Sequence, residues 1–181
     1  MKHLVKTYIG IDPGYSGAIA VFYNNEIKTI QNPRTFPEIL KIFREIKSTM
    51  PNILIGIEKV GMNPMDMKEG GKAFGIQKMV INYNDFVNAL DALQLPYIPI
   101  AAQKWQRGLK LYIKGEGKKE RKDRYRYFAA ENFPMLKVTR RNQDAICIMR
   151  YLYELVYYGN SDIMEKTRNY DRLIQLNEKK I

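Results

Sequence analysis

The stretch TYIGIDPGYSGAIAVFY, Thr7 to Tyr23, holds two candidate strands and a charged break between them. Thr7 to Asp12 reads as a buried strand. Asp12-Pro13-Gly14 stops it, because Pro13 has no N–H for a ladder and Gly14 tolerates a positive φ. Ser16 to Tyr23 predicts a second strand. Asn24-Asn25 predicts a tight turn into a third, Glu26 to Gln31, so the chain opens as an antiparallel meander.

Working outward, Thr35 has the pattern of a helix N-cap, with Pro37 in the first turn and Glu38 at N3. That helix should run to about residue 48, with Ile39, Leu40, Ile42, Phe43 and Ile46 on its buried side. Ile53 to Glu58 (ILIGIE) is a nearly continuous apolar strand that ends in a charge, as expected for one covered on both faces. Val60 to Gly71 is a Gly- and Met-rich loop. Helical spacing then predicts a helix over Phe74 to Leu93, and Pro96 to Ile100 a fifth strand, placed near an edge by its prolines. Lys104 to Tyr112 is read as helical, Tyr112 to Lys119 as a basic glycine loop, Arg121 to Asn132 as a basic helix, and Arg140 to Tyr158 as a strongly amphipathic last helix. The expectation is an α/β three-layer fold with a mixed five-stranded sheet, one domain over 1–158 and a polar tail over 159–181.

The formal net charge is +11. Fourteen Lys/Arg against five Asp/Glu fall in residues 101–150, so the basic character is concentrated. A polyanion is the natural partner, since each cation placed on a phosphate releases condensed counterions. Cys147 is the only cysteine and His3 the only histidine. A disulfide framework and a Cys/His zinc site are excluded by count. A histidine-based triad would need His3, near the start of the sequence. Any metal site must use oxygen ligands, which suits Mg²⁺ or Mn²⁺. The expected location is a reducing cytoplasm, with no membrane span and no signal-peptide core.

Three acids stand out by position. Asp12 ends the first strand, Glu58 ends the central strand, and Asp144 opens the last helix. In a sheet of this order the first and fourth strands are neighbours, so their ends can bring Asp12 and Glu58 together. Asp144 can enter from a helix packed across the same end. Carboxylates so gathered repel one another unless a cation neutralises them. Each has a plainer explanation alone: a turn for Asp12, a solvated strand end for Glu58, a macrodipole contact for Asp144. Their combination on convergent elements is what points to metal-assisted phosphodiester hydrolysis.

At these residues the chain resembles a known family. IGIDPGYSGAIAVF, GIEKV and RRNQDAICIMRYL, in that order, are similar to the acidic motifs of RuvC-type Holliday junction resolvases. PIAAQKWQRGL, the basic loop and ENFP resemble the bacteriophage branch of that family. The resemblance covers roughly residues 7–157. It implies an RNase H-like fold and Mg²⁺-dependent paired nicking of four-way DNA junctions by a homodimer. By position it makes Asp12, Glu58 and Asp144 the metal-binding acids, and Lys119, beside Lys118, the basic residue near the active site. Lys104 and Arg107 lie near a second family lysine position, and Lys114 adds charge to the loop. The sequence departs from the family in two places. Arg141 stands three residues before the last acid, where the family usually has another ligand, and an arginine cannot hold a cation; it is assigned to the scissile phosphate instead. The aromatic that usually follows the second acid is absent, which leaves Met62 or Phe74 as a wedge against an unpaired base.

Other readings compete. An actin- or sugar-kinase-like ATPase also runs its first strand into an Asp and glycines, but it needs two duplicated domains, and no repeat is present; no nucleotide cofactor is expected. An RNase H-like nuclease acting on structured RNA or flaps would use the same basic loop. A branched-DNA-binding protein that lost catalysis is supported by Arg141, and opposed by retention of three acids that would face phosphates.

Overall fold

A computed structural model describes residues 5–60 and 70–158, with the backbone alone at 70–74 and 76. The elements are β1 (Thr7–Ile11), β2 (Ala18–Tyr23), β3 (Glu26–Gln31), α1 (Phe36–Thr49), β4 (Ile53–Glu58), α2 (Gly70–Ala92), β5 (Tyr97–Ile100), α3 (Ala102–Gly108), α4 (Lys118–Asn132) and α5 (Gln143–Tyr157). The sheet runs β3-β2-β1-β4-β5. β1 pairs antiparallel with β2 and parallel with β4, and β5 joins β4 in parallel at the edge.

Local chemistry accounts for these elements. Asn24 and Asn25 both take positive φ, at 50° and 62°, which asparagine tolerates and a two-residue hairpin requires. Thr35 and Glu38 form the capping box that opens α1. Gln94, at a φ of 50°, turns the chain out of α2 toward β5. The Ile55 N–H donates to Pro96 O and the Lys59 N–H to Ile100 O. Residues 96, 98 and 100 therefore face β4, and the backbone of Tyr97 and Pro99 faces outward, where the missing N–H of Pro99 is not needed.

Strand alternation divides the core in two. Ile9, Ile11, Ile19, Val21, Ile55 and Ile57 face α1 and α2, and close around Phe43 and Phe86, whose rings meet edge-on at 6.2 Å. Tyr8, Ala18, Ala20, Leu54, Ile98 and Ile100 face α3, α4 and α5, with Trp105 edge-on against Tyr125 at 4.9 Å.

Several boundaries differ from expectation. β2 starts at Ala18, because Gly14 to Gly17 is a tight turn closed by a Gly17 N–H to Gly14 O bond of 2.8 Å. α4 begins at Lys118 rather than Arg121, so Lys118 and Lys119 form its first turn instead of belonging to the glycine loop. α3 is shorter than expected and ends at Gly108. Thr139 to Asn142 is a loop rather than the start of α5, held by Asn142, whose Oδ1 accepts the Thr139 N–H at 2.7 Å. Met62, the rest of 61–69, and the 159–181 tail lie outside the described residues, as does the side chain of Phe74. Among the described residues, no helix is long and apolar enough to cross a membrane.

Candidate active site

β1 and β4 place Gly10 opposite Gly56 and Ile11 opposite Ile57. One residue further, Asp12 and Glu58 leave neighbouring strands side by side. Period-two alternation puts residues 10 and 12 on one face, and likewise 56 and 58. That is the face covered by α5. A Cβ on Gly10 would stand 2.2 Å from the Ala145 carbonyl oxygen and 2.4 Å from the Met149 nitrogen, so only glycine lets the helix lie this close. A Cβ on Gly56 would meet Ile100 Cδ1 at 2.8 Å. Ala20 continues the row opposite Gly10, giving a trough of small residues for the helix. The N-terminus of α5 thereby comes to the acid end of the sheet. Asp144, in its first turn, is buried there.

The Asp12 loop is held by backbone-directed bonds. Asp12 Oδ1 accepts the Gly14 N–H at 3.0 Å. Buried Asn32 donates through Nδ2 to Asp12 O at 2.6 Å and to Gly14 O at 2.8 Å. Asn82 of α2 donates to Pro13 O at 2.6 Å. Gly17 has no room for a side chain, since a Cβ would stand 2.2 Å from Asp12 O. Tyr15, 63% exposed, carries the Arg34 guanidinium 3.8 Å over its ring. On the other strand, Glu58 Oε2 accepts the Trp105 indole N–H at 3.0 Å.

The three acids feel one another. Burial first, then the charge of Asp144, push Asp12 up to about 6, against the Gly14 N–H and Lys122. Burial, then Asp12 and Asp144, push Glu58 up to about 7, against the Trp105 hydrogen bond and Lys122. Lys122 of α4 makes an ion pair with Asp144 Oδ2, while Asp144 Oδ1 is buried without a partner. Among the described residues, no three acidic, histidine or cysteine side chains stand together at metal-ligand spacing.

The expected basic residues take several places. Lys104 and Arg107 are exposed on α3, beside Trp105, with Arg107 4.9 Å over the Tyr112 ring. Lys114, Lys118, Lys119 and Arg141 are also exposed. Lys122, one helical turn beyond Lys118 and Lys119, is the lysine that reaches the acids. Arg124, also on α4, pairs with Glu116 and donates to Leu111 O at 3.1 Å, bracing the basic loop. Asn142, two residues before Asp144, ties its loop to β3 by donating through Nδ2 to Thr29 Oγ1 at 3.2 Å. Sequence reasoning missed Trp105, Lys122 and Asn32. It also passed over a legible signal, the shared Gly-x-acid spacing of Gly10/Asp12 and Gly56/Glu58.

No family model matches the chain. No curated protein matches its sequence. Its structure is similar to that of Thermus thermophilus RuvC in complex with a Holliday junction substrate, with a TM-score of 0.56 and 10% identity over 85% of this chain and 96% of that one. A second Thermus thermophilus RuvC structure gives a TM-score of 0.55 and 10% identity over 90% and 98%. The mixed five-stranded sheet and this likeness give the chain an RNase H-like fold.

Proposed function

We propose that the chain is a metal-dependent endodeoxyribonuclease that resolves four-way and other branched DNA junctions by paired nicking. The observation that carries this reading is the placement of Asp12 and Glu58 just past the ends of the paired strands β1 and β4, with Asp144 in the first turn of the helix packed over them; burial first, and then the charge of the neighbouring acids, raises Asp12 and Glu58. The similar RuvC structure is itself in complex with a Holliday junction, which favours branched DNA over other polyanions.

The donor types fit a hard divalent cation, although the three carboxylates would have to draw closer than they stand to share one. The donor set is all oxygen, Asp144 Oδ1 is buried with no partner, and the negative charges repel. Asp12, Glu58 and Asp144 would hold Mg²⁺, with Mn²⁺ as a substitute, to activate water and neutralise the leaving oxygen. The chain's own groups do the positioning. Asn32 and the Gly14 N–H fix Asp12, and the Trp105 indole orients Glu58. Lys118 and Lys119 continue the helix face of Lys122 outward, where phosphates of the same strand can be held. Lys104, Arg107 and Lys114 extend that basic surface, Arg141 is assigned to the scissile phosphate, and Met62 or Phe74 to an unpaired base.

Two nearly symmetric nicks require two sites, hence a two-fold homodimer. Met79 and Ile81 of α2 are 38% and 53% exposed, and this helix is the proposed contact. We place the protein in the cytoplasm of its cell, a bacterial host's if the chain belongs to the bacteriophage-like branch of resolvases.

The test is incubation with a synthetic four-way junction, a matched duplex and an RNA/DNA hybrid, with and without Mg²⁺. Metal-dependent paired cuts in the junction alone are expected. Preferred cutting of the hybrid would overturn the DNA reading in favour of structured RNA. Binding of the junction without cutting in Mg²⁺ or Mn²⁺ would favour a catalytically impaired junction binder. That second reading draws on Lys122 occupying Asp144 and on Arg141 in place of a fourth ligand.

A further inference from the structure

We infer that Lys122 is a built-in counter-ion of the acid cluster, pairing with Asp144 while no divalent cation is bound and released from it when one binds. The inference rests on the proposed metal site. Lys122 reaches from α4 across to the first turn of α5 and ends on Asp144 Oδ2. Its side chain remains 32% exposed, whereas that of Asp144 is 9% exposed. The lysine can therefore move into solvent, while the acid is held by its helix.

The arrangement answers an electrostatic problem of the metal-free protein. Three carboxylates at one end of the sheet, all largely hidden from water, destabilise the fold unless a positive charge stands among them. Lys122 is the lysine that opposes the charge of both Asp12 and Glu58. Its ammonium also lies 5.8 Å from the centroid of the Tyr125 ring, whose face favours a cation. A divalent cation at the unpartnered Asp144 Oδ1 would meet the ammonium on Oδ2 as a like charge across a single carboxylate. The two cations repel at that range. Metal and Lys122 are thus alternative partners, and each weakens the other.

Competition of this kind is a negative coupling, and such couplings typically change affinity by about 5–150-fold. Lys122→Met keeps length and apolar stem but removes the charge. In the full chain without DNA, isothermal titration should show Mn²⁺ binding about tenfold tighter in Lys122→Met than in wild type. Lys122→Arg, which keeps the charge, should bind Mn²⁺ as wild type does. A second measurement needs no variant. Acetylation of wild-type lysines by an amine-reactive ester, read by mass spectrometry, should label Lys122 faster once Mn²⁺ is added, relative to Lys104 on α3.

Unchanged or weaker Mn²⁺ binding in Lys122→Met would overturn the inference. So would labelling of Lys122 that does not respond to metal, which decides the matter even if Lys122→Met fails to fold. If wild type binds no Mn²⁺ or Mg²⁺ at millimolar concentrations, the proposed metal site falls and this inference falls with it. Binding that occurs but ignores Lys122 removes the inference alone.

Discussion

Against one face of the sheet, α1 and α2 close a cluster built from Ile, Val, Leu, Ala, Phe and one tyrosine, Tyr97, whose hydroxyl bonds to Asp91 at 3.3 Å. Against the other, α3, α4 and α5 close an apolar cluster that borders the acids. Buried polar atoms without partners collect on this second side: Glu116 Oε2, the Tyr125 hydroxyl, both amide atoms of Gln143, and Asp144 Oδ1. Each such atom costs about 1–3 kcal/mol. Away from this side, among the described residues, one further such atom occurs, Asn32 Oδ1 in the loop that fastens the Asp12 turn. The difference teaches a division of labour. The α1/α2 face supplies stability without chemistry, and the α5 face gives up stability to keep charged groups out of water and close together.

The largest effect expected from breaking this division is on the inert face. Phe43 is fully buried against Phe86. Phe43→Ala should lower unfolding stability by about 3–5 kcal/mol in urea titration. The protein that remains folded should cut junctions at the wild-type rate, and a large loss of rate per folded molecule would show that the faces are not independent.

On the other face the order of effects reverses. Asp12→Asn, Glu58→Gln and Asp144→Asn should each lower junction cleavage by ~10² or more while leaving junction affinity nearly intact. Wild-type cleavage in any one variant would remove that residue from the site. Single-turnover rates and gel-shift affinities on the same samples separate the two quantities.

The same substitution should raise stability. Asp12 titrates near 6 in the fold, well above its ordinary value of 3.8. Between these pH values the folded state keeps a proton that the unfolded state has lost, so this group lowers stability as pH rises through that window. Asp12→Asn keeps an oxygen for the Gly14 N–H and removes the charge. At pH 8 without metal it should be more stable than wild type by about 1–3 kcal/mol, a few degrees in Tm. The gap should shrink as pH falls from 6 to 3.8 and vanish well below 3.8, where the wild-type carboxyl is protonated in both states. Thermal unfolding across pH checks this, and equal Tm values at pH 8 would argue that Asp12 carries no strain from its neighbours.

The smallest effect concerns the exposed rim of the active face. Replacing Lys118 and Lys119 together by Ala should make the slope of log K against log salt shallower by about 0.9 for each lysine that neutralises a phosphate. An unchanged slope and affinity would make the first turn of α4 a solvated surface.

The sequence made the sheet legible because its strands are short apolar runs ended by Pro, Gly or a charge, and because their order leaves few topologies. Asp12, Glu58 and Asp144 were legible for the same reason: each ends or opens an element, so element order alone brings them together. The contacts that hold them were not. Trp105 looks like a core residue of a short helix, and nothing local ties its indole to Glu58, 47 positions earlier. Lys122 is one cation among many in KKERKDRYR, and only the distance between α4 and α5 picks it out. Asn32 reads as a loop residue before Pro33, although it fastens the Asp12 turn. Such pairings depend on tertiary distance, which periodicity does not encode.

The outer edge of β5 has a consequence for assembly. If the proposed binding to DNA holds, copies of this highly basic protein are crowded together on it, and an open sheet edge in such a crowd is a template for polymerisation. At β5 the backbone of Pro99 faces outward with no N–H to offer, so a strand laid along it would lose a rung of its ladder. Growth by strand addition is blunted there. Copies joined through α2 would meet on a helix instead, by a two-fold contact that uses itself up in one pairing and stops at two.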